Sequence, residues 1–239
     1  MIERRIEVTT AEGAMPTFVF HPEHGGPHPV VMYLMDAPSI RPALKDMAAR
    51  LATAGYYVML PYLFYRGGPF REFGASDEDM HARRELMASV TPTNIVGDAE
   101  ALLAVAAEDG AARSGAIGAV GFCMSGGLAI SLARAMPERV TAAASIHGAW
   151  LVRDGDDSPH LGLSPVRAEI YFAWVDGDDT APANTIPVMR QALDEAGVRY
   201  TIDVITDAVH GFAPAGPRYD RVASELHWER VHSLLRRNL

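Results

Sequence analysis

Apolar and polar positions alternate in a way that separates strands from helices along the whole chain. Two short apolar segments open it, "RIEVTT" and "AMPTFVFHP", joined by Ala11-Glu12-Gly13. Alternation around a Glu-Gly turn predicts a β-hairpin. The continuous apolar run "HPVVMYLM" (residues 28–35) then reads as a strand buried on both faces. In "RPALKDMAARLATAG", Leu44, Met47, Ala48 and Leu51 keep helical spacing, and Gly55 suits a helix C-terminus. "YYVMLPYLF" is a further buried strand, ended by Pro61.

Strand, helix and strand in that order make a βαβ unit, and the pattern continues. Residues 77–109 hold two helical patterns around the break Thr91-Pro92-Thr93. Beyond them, "GAIGAV", "VTAAASIHG", "AEIYFAWV" and "RYTIDVIT" read as strands. "GGLAISLARAM", "NTIPVMRQALDEAG" and the closing "RYDRVASELHWERVHSLLRR" read as helices. Such alternation predicts an α/β fold with a doubly wound, mostly parallel sheet covered by helices on both faces. The 239 residues are expected to form one domain, with a loop-rich lid or rim insert around residues 65–92.

Composition narrows the function classes. A formal net charge of −9 argues against nonspecific nucleic-acid binding, which needs a basic patch. No window approaches the roughly 18 apolar residues of a membrane span, and "MIERRIEVTTAEG" does not read as a signal peptide. Cys123 is the only cysteine, so no intrachain disulfide can form, which suits a reducing compartment. A cytoplasmic protein with a small-molecule partner, and neither nucleic acid nor membrane, is the expectation.

The chemistry concentrates in "VGFCMSGG" (residues 120–127), where a strand runs through a Gly-rich turn into a helix. Strand ends of an open α/β sheet are where ligands bind, and this is the setting of a nucleophile elbow, G-x-Nu-x-G. Taking Cys123 as the nucleophile puts Gly121 at minus two and Ser125 at plus two. Taking Ser125 puts Cys123 and Gly127 there. Sterics lean towards Cys123, and a helix N-terminus favours a thiolate. A buried, inert Cys and a phosphate-cradling loop are the other readings; the spacing for the latter is missing.

A nucleophile needs a base and the base an orienting acid, in the chain order nucleophile, acid, histidine for this fold. "FAWVDGDDTAP" supplies Asp176, Asp178 and Asp179 after a predicted strand, and "TDAVHGFAP" supplies His210 after the last one. Other histidines carry less. His147 in "SIHGAW" ends a predicted strand and reads as a packed, hydrogen-bonded side chain. His21, His24 and His28 read as a hairpin or loop. His227 and His232 stand five apart, outside any H-E-x-x-H pattern, so no metal site is expected.

"VGFCMSGG" resembles the elbow of the dienelactone hydrolase family, G-[FY]-C-[LM]-[GS]-G with a cysteine nucleophile. "VVMYLMDAPSIRP", "LATAGYYVMLPYLFYR", "IYFAWVDGDDTAP" and "HGF" extend the resemblance over most of the chain. It implies a single-domain α/β-hydrolase fold that hydrolyses a small ester or lactone without a cofactor. The family's acid lies four residues before a proline, which selects Asp178 before Pro182; His210 matches its base. The implied triad is Cys123, His210 and Asp178, with backbone N–H groups of Met124 and Ala37 as the oxyanion hole. Asp36 stands where the family has an acid that contacts the resting cysteine. Two departures stand out. Pro214 occupies the place of a carboxylate-binding arginine, leaving Arg66, Arg83 or Arg84 as substitute cations, and Tyr62 replaces a common Asp. The rival readings are a serine esterase using Ser125 and a non-catalytic small-molecule binder of the same fold.

Overall fold

The computed structural model describes residues 1–74 and 76–239. It contains two compact units, residues 1–115 and 116–239.

In the first unit, β1 (Ile2–Thr10) and β2 (Gly13–His21) form the antiparallel hairpin, paired in register from Ile2 opposite His21 to Thr10 opposite Gly13. β3 (His28–Leu34) lies parallel to β4 (Tyr57–Pro61), and β2 pairs antiparallel with β4. The β3–β4 crossover is α1 (Pro42–Thr53), whose inward face is Leu44, Met47, Ala48, Leu51 and Ala52. Gly55, one residue past the C-cap, takes φ 101°, a left-handed turn that a side chain would strain.

The segment read as a lid or rim contains α2 (Asp77–Ala88), capped where the Asp79 N–H donates to the Ser76 hydroxyl at 3.1 Å. None of its residues is buried. Ala75, inside the same segment, lies outside the described residues. α3 (Asn94–Ala107) completes the helices of this unit.

β5 (Ala112–Phe122) leads into the second unit, where β5, β6 (Val140–Ile146), β7 (Glu169–Val175) and β8 (Tyr200–Ile205) pair in that order, all parallel. β6 and β7 are buried along almost their whole length, which is why they read as unbroken apolar runs. α4 (Gly126–Ala135) packs on β6, α5 (Ile186–Glu195) precedes β8, and α6 (Arg221–Asn238) packs on β6 and β7. Pairing of Phe122 with Ile146, of Ile146 with Ala173, and of Val175 with Ile205 aligns the carboxyl ends of the strands. Chemistry-bearing residues that follow those ends are thereby gathered along one edge. Among the described residues no helix is long and apolar enough to cross a membrane.

Candidate active site

The turn after β5 is tight for reasons visible atom by atom. A Cβ on Gly121 would fall 2.0 Å from the Ser125 carbonyl oxygen, so only glycine fits there. One on Gly126 would fall 2.4 Å from Ser145 Oγ and 2.7 Å from the Gly148 Cα, so α4 can begin this close to the end of β6 only without a side chain. Between them Cys123 is held at φ 53°, left-handed for a non-glycine residue. Such a conformation costs on the order of 1–3 kcal/mol and persists where the surroundings over-determine it. Residues 123–125 form one 3-10 turn before α4.

The two candidate nucleophiles differ in situation. Ser125 is wholly buried, and its hydroxyl accepts the Phe122 N–H at 2.9 Å while donating to the Phe122 carbonyl at 3.0 Å. Cys123 and Met124 are half-buried and so can be reached from outside. The Cys123 carbonyl accepts the Ala149 N–H at 2.9 Å.

His210 follows β8, and its Nδ1 donates to Asp178 Oδ2 at 2.6 Å. That leaves the Nε2 side of the ring open to another partner, and Cys123 is among the groups that act on the charge of His210. Of the three aspartates after β7, Asp176 and Asp179 are exposed and Asp178 is buried, the position an orienting acid needs. Asp178 Oδ1 accepts the Thr180 N–H at 2.8 Å and its hydroxyl at 2.7 Å, and the same hydroxyl lies 3.4 Å from His210 Nδ1. Burial would raise the Asp178 pKa, but hydrogen bonds from His210 and Thr180 outweigh it and hold the carboxyl below its usual range. Burial likewise disfavours charge on His210; hydrogen bonds to Asp178 and Cys123, and their negative charges, overcome it and push the imidazole up to about 10. At neutral pH this histidine carries its proton.

His147 follows β6 with φ 38°, and its N–H donates to the Ala173 carbonyl at 2.9 Å. The ring meets His210 edge to face at 5.1 Å between centroids and packs on Phe212 at 5.3 Å and Phe122 at 5.9 Å. The expectation of a packed histidine holds, but the expected hydrogen bond does not. Among the described residues neither ring nitrogen finds a partner beyond its own backbone, because the neighbours are mostly aromatic faces. Complete burial, then the charge of His210, pushes its pKa well below the ordinary value and keeps it neutral. His227 of α6 closes the cluster, 5.9 Å from Phe212.

Asp36 and Ala37 follow β3 in the first unit, both buried. Arg41 grips Asp36 with two bonds, 2.6 and 2.9 Å, so the carboxylate expected to face a thiol is engaged by a guanidinium. Arg66 is likewise committed, to Asp98 at 2.7 and 3.0 Å and to Glu12. Tyr62 is buried, edge-on to Phe64 and Phe70. His21 and His28 are strand-end residues rather than loop residues; His21 stacks on Tyr57 at 5.4 Å. No group of three metal-ligating side chains occurs among the described residues.

Two neighbours of Asp178 and His210 escape sequence reasoning. Thr180 sits two residues past Asp178, a D-x-T spacing typical of a side chain capping its own turn, which is the signal that could have found it. Arg218 donates to the His210 carbonyl at 3.3 Å from a loop with no motif to mark it.

Residues 15–239 match the sequence model of the dienelactone hydrolase family. A Methylorubrum extorquens protein bearing the name "Putative carboxymethylenebutenolidase" is 25% identical over 99% of this chain and 81% of its own. Carboxymethylenebutenolidase from Pseudomonas sp. strain P51 is 31% identical over 45% of each chain. The crystal structure "Putative Dienelactone Hydrolase" from Klebsiella pneumoniae has TM-score 0.86 at 22% identity, covering 98% of both chains. A likeness at that identity speaks for the fold.

Proposed function

The chain belongs to the dienelactone hydrolase family, and from that premise we propose that it hydrolyses a small carboxylic ester or lactone through Cys123, His210 and Asp178, by way of an acyl-enzyme. One observation carries the reading. The accessible residue in a strained left-handed elbow is Cys123, and it shares His210 with a buried, fully hydrogen-bonded Asp178.

The steps follow from the charges. In the attacking state the sulfur is a thiolate and the proton sits on His210 Nε2. The sulfur attacks the carbonyl carbon, an S–C bond forms, and the carbonyl π electrons move onto oxygen. The Met124 N–H, in the same turn, is the backbone donor for that oxyanion. On collapse the C–O bond to the alcohol breaks, and the alkoxide takes its proton from His210 Nε2. A thioester remains on Cys123. His210, now neutral, removes a proton from water as the water attacks the thioester carbon; collapse expels the thiolate and releases the acid. Asp178 holds Nδ1–H throughout and stabilises the imidazolium. The neutral His147 ring, packed on His210, adds no competing positive charge.

The serine reading is weakened by the Ser125 hydroxyl, whose bonds to both polar groups of Phe122 occupy it within the turn. Turnover of p-nitrophenyl acetate by wild type, Cys123→Ala and Ser125→Ala decides among the three readings. Cys123→Ala is expected to lose at least about 10⁴-fold in kcat, as for removal of a nucleophile, with Ser125→Ala within about tenfold. Loss confined to Ser125→Ala supports a serine enzyme. Absence of wild-type turnover across short esters and lactones supports a binder.

A further inference from the structure

Resting on that reading, we infer that Trp150 is a specificity-determining residue that receives an aromatic ring on the alcohol side of the ester. Of the three tryptophans, Trp174 and Trp228 are buried, whereas Trp150 is 44% exposed. Its backbone is nevertheless among the most constrained in the molecule. His147 and Trp150, three residues apart, both take left-handed φ, 38° and 53°. For bulky side chains that is a strained conformation held by its surroundings.

Three bonds hold it. His147 N–H donates to the Ala173 carbonyl at 2.9 Å, Ala149 N–H to the carbonyl of Cys123 at 2.9 Å, and Trp150 N–H to the carbonyl of Thr180 at 2.7 Å. The last two partners are the nucleophile itself and the residue whose hydroxyl caps Asp178 beside His210. Full burial does not account for the strain at Trp150, because nearly half of the residue stays exposed. A left-handed non-glycine backbone held by tertiary bonds, with a large aromatic side chain left partly accessible, is the kind of strain that clusters at ligand-contacting positions.

The side of the site follows from proton transfer. His210 must reach the leaving oxygen to protonate it, so the alcohol portion lies on the His210 side of the scissile carbonyl. The Trp150 backbone is tied to the neighbourhood of His210 through Thr180, whose hydroxyl lies 3.4 Å from the ring. A flat aryl group against an indole is the chemistry this surface fits.

The test compares kcat/KM for 2-naphthyl acetate with that for 2,2,2-trifluoroethyl acetate, an activated ester without a ring, in wild type, Trp150→Ala, Trp150→Phe and Cys123→Ala. Trp150→Ala is expected to lower the naphthyl value by about 10–100-fold, the range a lost apolar contact commands, and the trifluoroethyl value by less than about twofold, with the naphthyl loss expressed mainly in KM. Trp150→Phe, which keeps a ring, should retain most of the naphthyl preference and stands in if the alanine variant does not fold. Equal loss on both esters, or no loss on either, overturns the role of Trp150 while leaving the hydrolase reading intact. Absent wild-type turnover of both esters, or full turnover by Cys123→Ala, instead overturns the hydrolase reading.

Discussion

Each unit of this protein has a buried aspartate gripped by a cationic side chain, and the two cations, Arg66 and His210, differ in whether they can exchange a proton. In the first unit, Asp98 accepts Tyr65 Oη at 2.7 Å and Arg66 at 2.7 and 3.0 Å. In the second, Asp178 accepts Thr180 twice and His210 once. The acids are equally well satisfied, so satisfaction does not distinguish them. Their partners do. A guanidinium cannot release its proton, and Arg66 spends its remaining donors on Glu12. An imidazolium can release one, and the charge of His210 is influenced by Cys123, an accessible residue in a strained turn. A buried ion pair is therefore architecture unless its base can exchange a proton with a reachable nucleophile.

Substituting the two aspartates separates these roles. Asp178→Asn removes the charge that fixes the His210 tautomer and should lower kcat by about 10²–10⁴-fold, with the melting temperature changed far less than activity. Asp98→Asn leaves the half-buried Arg66 with Glu12 as its remaining carboxylate and should cost about 1–3 kcal/mol in denaturant unfolding, with kcat per folded molecule unchanged. Loss of turnover in the folded Asp98→Asn protein would break the comparison. Ser125→Ala sharpens it within the elbow. Removing the hydroxyl that serves both polar groups of Phe122 should cost about 1–3 kcal/mol of stability, a structural effect two residues from a catalytic one.

The smallest effect concerns pH. Since the folded His210 value, about 10, lies above the ordinary 6.5, its stabilisation is complete below 6.5 and is lost as pH rises towards and through 10. Asp178 has the opposite sign: its contribution is present above the ordinary 3.8 and is lost as pH falls through its lowered value. The wild-type melting temperature should therefore decline between pH 7 and about 10 more steeply than that of His210→Phe. Parallel profiles would remove the ion pair from the account.

The reach of the sequence follows the same division. Parallel strands buried on both faces are continuous apolar runs, so β3, β6 and β7 stand out, and the glycines of the elbow have no reading except close approach of backbone. Asp178, His210 and Cys123 could be singled out because each follows a strand end, and the bond of His210 to Asp178 is what the structure adds. The left-handed His147 and Trp150 were not legible, since no residue pattern signals positive φ away from glycine. Nor was the missing hydrogen bond of His147, which depends on Phe122 and Phe212 arriving from distant parts of the chain. The commitments of Arg41 to Asp36 and of Arg66 to Asp98 are tertiary in the same sense. Of the cations proposed for a substrate carboxylate, Arg66 is engaged by Asp98 and Glu12.

The central claim, a thioester on Cys123, is open to direct observation. Wild type mixed with p-nitrophenyl acetate and quenched in acid within the first turnovers should gain one acetyl group by intact mass. Fragmentation should place it on Cys123, and neutral hydroxylamine should remove it. An acetyl group on Ser125 that resists hydroxylamine, or rapid turnover in which no acyl-enzyme can be trapped even with slower-hydrolysing acyl groups, would contradict the account.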